Sequence, residues 1–215
     1  MDTESDIDKL LMRSAELDGA LSELFSLTFH VSSDRMHASR IMCGVVFEHA
    51  ESIKILTAHG NYTSAFGLVR LQYEVVVRAV WLLYAASDQW VSTLLRDATP
   101  EGAEKANKLP SLSEMLKALD GKAPEVAVSM IQEFKDVSWK PLCSFVHGGF
   151  HALHRHGGGY PPQLVCQVLK ISNGLSIMAG MLLVILSGAP NQEGRITRIQ
   201  ESFKHCLPDP KRDTQ

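Results

Sequence analysis

The sequence predicts an all-α protein, an up-and-down bundle of four or five main helices with short accessory helices. Three observations predict it. Apolar residues recur at three- and four-residue steps over long stretches. No run alternates at period two with enough β-branched residues to suggest a sheet. Proline, glycine and N-capping residues punctuate the chain at the helix spacings.

The first helix is expected from about Ser5 to Val31, with Ile7, Leu10, Leu11, Leu17, Leu21 and Leu24 on one face and acidic residues at its positive end. Ser32 to Asp34 reads as a turn and N-cap. A second helix is expected over about Arg35 to His59, ended by Gly60 and Asn61. The third, about Tyr62 to Ala86, is apolar around most of its circumference. One narrow polar stripe remains, Arg70-x3-Glu74-x3-Arg78, at successive i+4 steps. From Ser87 to Val137 the punctuation predicts short helices laid across the bundle. Thr99-Pro100 reads as an N-cap and first helical residue, and Ser111-Leu-Ser-Glu114 as a capping box opening a helix to Leu119. Trp139 to about His156 reads as helical, at least in part. Gly157 to Pro162 breaks it, Gln163 to Ser187 forms a long apolar helix, and a last helix runs to about Cys206. The expected domain is residues 1–207, with 208–215 a frayed tail.

At 215 residues the chain holds one sizeable core. A net charge of −3 excludes a strongly basic nucleic-acid coat, and 45% hydrophobic residues exclude wholesale disorder. The acidic start has neither the positive, apolar pattern of a secretory signal nor the arginines of a transit peptide. Cys43, Cys143, Cys166 and Cys206 are scattered without a Cys-x-x-Cys pair and read as reduced packing residues. The expected location is therefore cytoplasmic. The apolar stretch near 171–192 reads as a buried bundle helix and not as a membrane span. No phosphate-binding glycine loop, no metalloprotease His-Glu-x-x-His and no Gly-x-Ser-x-Gly elbow occurs, so no cofactor is expected.

Three constellations carry chemistry. The Arg70/Glu74/Arg78 row reads either as a solvent-facing ion-pair row or as two guanidiniums held by one carboxylate for an anion such as phosphate. In Cys143-Ser-Phe-Val-His147-Gly-Gly-Phe-His151-Ala-Leu-His154, a continuous helix would put the cysteine and the three histidines on one face. His147, His151 and His154 are thus candidate metal ligands, beside the readings of a histidine-rich turn or a site using His147. The basic residues Arg195, Arg198, Lys204, Lys211 and Arg212 read chiefly as a solvated helix face.

Arg70-Leu-Gln-Tyr-Glu74, then Trp81-Leu-Leu-Tyr84, then Ser144-Phe-Val-His147-Gly-Gly149, resemble uncharacterised bacterial families of the HEPN-like helical superfamily, over about Arg35 to Ser187. The resemblance implies an all-α bundle, often dimeric, found in toxin–antitoxin and phage-defence proteins. Active members are metal-independent endoribonucleases that use an arginine followed a few residues later by a histidine. Other members bind without catalysis. Arg198-x6-His205 is the one formal match to that motif. A composite site offers another route, with His147 as the acid–base group and Arg70, Glu74 and Arg78 around the phosphate. The expected function is therefore a defence or stress protein acting on or binding RNA or nucleotides, with an antitoxin or other protein partner and a homodimeric state. The alternatives are a non-catalytic dimeric interaction module and a metal-binding bundle.

Overall fold

The computed structural model describes residues 3–28, 33–96, 99–100, 104, 108–188 and 193–209, and within these every regular element is helical. The main helices are α1 (Thr3–Ser22), α2 (Asp34–Ala58), α3 (Tyr62–Tyr84), α4 (Asp88–Leu95), α5 (Leu112–Leu119), α6 (Glu125–Val146), α7 (Phe150–Gly158), α8 (Pro162–Ser187) and α9 (Glu193–Ser202). Short 3₁₀ turns follow α1 (Glu23–Ser26) and α9 (Lys204–Cys206). The protein is an all-α bundle.

α2 and α3 form a tight antiparallel hairpin, and α3 also packs against α5, α6, α7 and α8. That central place explains its composition. Phe66, Val69, Tyr73, Val76, Val77, Val80 and Leu82 are all buried. α8 closes the bundle against α1, α2, α3 and α9. By length and composition it could cross a membrane, yet 67% of its most apolar window is buried within the fold. Its inner polar groups are satisfied. Ser172 Oγ donates to Gln72 Oε1 at 2.8 Å, and Asn173 Nδ2 donates to Ser14 Oγ and to the Cys206 carbonyl, each at 2.8 Å. Pro208 packs over Gly174 of α8, and residues 210–215 lie outside those described.

Two expectations are corrected. The first helix stops at Ser22 and not near Val31. Beyond it the Ser22 and Ser26 hydroxyls donate to carbonyls three residues back, at 2.8 and 2.6 Å. Such local bonds compete with the helix ladder and tighten the last turn. Residues 29–32, which include the expected turn residue Ser32, lie outside the described ones, and Ser33 is the N-cap of α2. The stretch from 87 to 137 is not all short helices. α4 and α5 are short, but Glu125 begins a 22-residue helix that carries Pro141 inside it. Proline removes one helix hydrogen bond. The inner row Ile131, Phe134, Ser138 and Leu142 holds the helix against the core on both sides of that gap. The stretch 139–156 is helical in part, as expected: α6 ends at Val146 and α7 begins at Phe150. The helix expected after Thr99-Pro100 falls mostly on residues outside the described ones.

Two local features give direct tests. The capping box at α5 is formed in full: the Ser111 side chain accepts from the Glu114 backbone N–H, and Glu114 accepts from the Ser111 N–H at 2.7 Å. Ser111→Ala is expected to cost about 1 kcal/mol in urea titration. No measurable loss would show that α5 is held by packing alone. Cys43 is fully buried in α2, and burial pushes its thiol up to about 12 from an ordinary 9.0. A thiol raised on folding stabilises the native state below its unfolded pKa, and that contribution is lost as pH rises through the folded one. Stability should therefore fall between about pH 9 and 12, less so in Cys43→Ala. At pH 8 native Cys43 should resist maleimide labelling, and rapid labelling would contradict its placement.

Candidate functional site

The polar row of α3 meets the C-terminal end of α6. Arg70 Nη1 lies 3.2 Å from His147 Nε2, and Arg70 Nη2 lies 2.9 Å from Glu74 Oε1. The guanidinium carbon sits 4.4 Å from the centre of the Trp139 ring, within cation–π range. A guanidinium only donates hydrogen bonds, so Nε2 accepts and the imidazole proton of this neutral form is on Nδ1. Arg70 and Glu74 are tucked in, with 15% and 26% of their side chains exposed, whereas His147 is at the surface. The Nε of Arg70 is buried without a hydrogen-bond partner among the described residues. The cation is thus held between a carboxylate and an indole, with one amino group against an imidazole at the surface.

Local chain chemistry explains how His147 arrives there. His147 caps α6, its N–H bonded to the Cys143 carbonyl at 3.2 Å. Gly148 follows at φ +61, a left-handed conformation that favours glycine. Ser144 Oγ then accepts the His151 N–H at 2.8 Å, satisfying the first turn of α7. A Cβ on Gly149 would lie 2.9 Å from that oxygen, so the second glycine is also required. On α3, a Cβ at Gly67 would stand 3.7 Å from the Val146 side chain. This close crossing brings the end of α6 within reach of Arg70, one turn further along α3.

The other candidates are dispersed. Arg78 is two turns beyond Arg70, about 12 Å along the axis. It is half-buried, and its Nε has no hydrogen-bond partner among the described residues. The shared face of Cys143, His147, His151 and His154 does not form, because the break at Gly148 redirects the chain. The ring of His151 lies beside Phe145, and the ring of His154 lies 4.2 Å from that of Phe150. Among the described residues no three His, Cys, Asp or Glu side chains are gathered as a metal ion requires. Arg198 and His205 are both exposed, and α9 ends between them at Ser202, so they do not share the single helix expected. Arg198 lines a shallow cleft with Arg195 and Phe203 that His205 does not reach.

The sequence marks Trp139 only as a helix start and Ser144 only as the first residue of the Ser144-Phe-Val-His147-Gly-Gly149 stretch, with no role for either. In the structure Trp139 lies well inside α6 under Arg70, and Ser144 holds the first turn of α7. A wide cavity among the described residues lies elsewhere, between α6 and α8, and neither Arg70 nor His147 lines it. Its size reflects two helices that diverge, whereas the chemistry sits where α3 and α6 converge.

No curated protein and no solved structure matches the chain. Residues 43–209, which hold α3, α6, α7 and the Arg70–His147 pair, match the family of unknown function DUF6988, and the protein belongs to that family.

Proposed function

We propose that the protein is a cytoplasmic, HEPN-like protein of a bacterial defence or stress module, and that it cleaves RNA without metal at the Arg70–His147 pair. The observation that carries this reading is the 3.2 Å contact between a guanidinium and an imidazole from residues far apart in sequence. Surroundings favour a polyanion as well. From Val137 to Gln192 the chain has no acidic residue, while Arg155 and four histidines lie within or just before α7.

The chemistry balances without a cofactor. A phosphate oxygen competes for Arg70 Nη1 and frees the Nε2 lone pair of His147. His147 removes the ribose 2′-hydroxyl proton as that oxygen bonds to the adjacent phosphorus. Arg70 neutralises the charge that builds on the phosphate oxygens. The bond from phosphorus to the 5′-oxygen breaks, and that oxygen takes a proton from the imidazolium or from water. The products are a 2′,3′-cyclic phosphate and a 5′-hydroxyl end. Incubating the protein with total RNA in EDTA, beside His147→Ala and Arg70→Ala, tests this. Cleavage with cyclic-phosphate ends that both variants lack is the expected result. Intact RNA with the wild-type protein over a range of pH and salt overturns it.

A second reading, a non-catalytic interaction module, is favoured by one observation. Val146, Phe150 and Leu153 stand exposed next to the pair, and exposed apolar clusters mark binding surfaces.

A further inference from the structure

α6 and α8 both pack on α3 but diverge from one another, and they leave a groove of about 1350 Å³ between them. That exceeds the roughly 300–1,000 Å³ of small-molecule pockets and suits a polypeptide segment. Its floor is apolar, with Phe134 from α6 and Ile171, Leu175 and Met178 from α8. Four carboxylates line it, those of Asp6, Glu133, Asp136 and Asp209, against one ammonium, Lys170. The occupant it fits is an apolar helix with positive charge.

α7 has that chemistry. Phe150 and Leu153 are 68% and 72% exposed, while Ala152 on the opposite side is buried. His154 and Arg155 adjoin them, also exposed, and the helix contains no acid. Its nine residues span about 14 Å, and the α6 wall from Ser129 to Ser138 spans about 15 Å. The two surfaces also adjoin in the chain, since α7 links the helices that wall the groove. A two-fold axis can therefore pair both at once, each helix with the other copy's groove. We infer that α7 of a second copy seats in the α6–α8 groove, Phe150 and Leu153 on its floor and Arg155 against its carboxylates, in a reciprocal dimer. This supplies a partner for the interaction-module reading and rests on the surface that reading names, while its failure leaves the RNA-cleavage reading untouched.

Size-exclusion chromatography with light scattering at tens of micromolar protein tests it. The wild type is expected to be a dimer. Phe150→Ser/Leu153→Ser is expected to be monomeric, as is Glu133→Lys/Asp136→Lys. These side chains are at or near the surface, so thermal melts within a few degrees of wild type show that folding is kept. An equimolar mixture of the two double variants keeps one intact junction and should regain dimer, which neither regains alone. His147→Ala should dimerise like wild type. A wild-type monomer overturns the inference and leaves the groove to another protein's helix. A dimer insensitive to both double variants, or no recovery on mixing, overturns it as well.

Discussion

His147→Ala is expected to slow RNA cleavage by about 10²- to 10⁴-fold, the range for loss of a positioned acid–base group. The ring is exposed and contributes no apolar contact to the core, so the melting temperature should stay at its wild-type value. The loss then belongs to chemistry and not to folding. Specificity within the histidine cluster sharpens the test. His151 and His154 turn to Phe145 and Phe150 and make no contact with Arg70. Their alanine variants should keep cleavage within about threefold, a difference below 1 kcal/mol. Arg70→Lys should fail where Arg70→Ala fails. Lysine keeps the charge but lacks the flat fork that faces Glu74, Trp139 and His147 together. Equal losses in the His147, His151 and His154 variants would place the activity on diffuse positive charge and remove the proposed roles.

The largest expected effect on stability is at Tyr73. It is fully buried on α3, stacked 4.3 Å from Phe134 and edge-on to Trp139 at 5.7 Å, both on α6. Its hydroxyl donates to the Ile131 carbonyl at 3.0 Å, and burial, with Asp136 adding, raises its phenol well above the ordinary 10. Tyr73→Ala removes a ring from a closed core and should cost about 3–5 kcal/mol. Tyr73→Phe keeps the ring and loses the hydrogen bond, about 1 kcal/mol. The same ring seats Trp139, which covers the Arg70 guanidinium. Tyr73→Phe should therefore leave cleavage nearly unchanged, whereas Tyr73→Ala should lower it even where the protein remains folded. Urea titration reads the first quantity and the RNA assay the second. A Tyr73→Ala cost below about 1 kcal/mol would mean that α6 is held to α3 by other contacts.

Local physics made much of the fold readable from the chain. The all-α class and the limits of α2, α3 and α8 follow from apolar periodicity and from stops such as Gly60 and Gly188, because caps and face patterns act over a few neighbouring residues. The Ser111 capping box follows for the same reason. At α6 the local signs misled. The residues before 137 read as short helices and a new helix is expected at Trp139, while the inner row from Ile131 to Leu142 keeps one helix from Glu125 to Val146, through Pro141.

By itself, then, the sequence determined the all-α class and the limits of α2, α3 and α8, and it singled out Arg70, Glu74 and His147 together with Arg78, His151, His154, Arg198 and His205 as chemistry-bearing residues. Only the tertiary structure decided that Arg70 and His147 touch, that Arg78 and the other histidines lie apart from them, and that a groove opens between α6 and α8. Each of these depends on how closely helices cross. The meeting at the site comes from α6 packing on α3 with Val146 beside Gly67, and the groove from two helices that share α3 without sharing each other. Periodicity fixes the face a side chain occupies, and only packing of the whole bundle sets what that face meets.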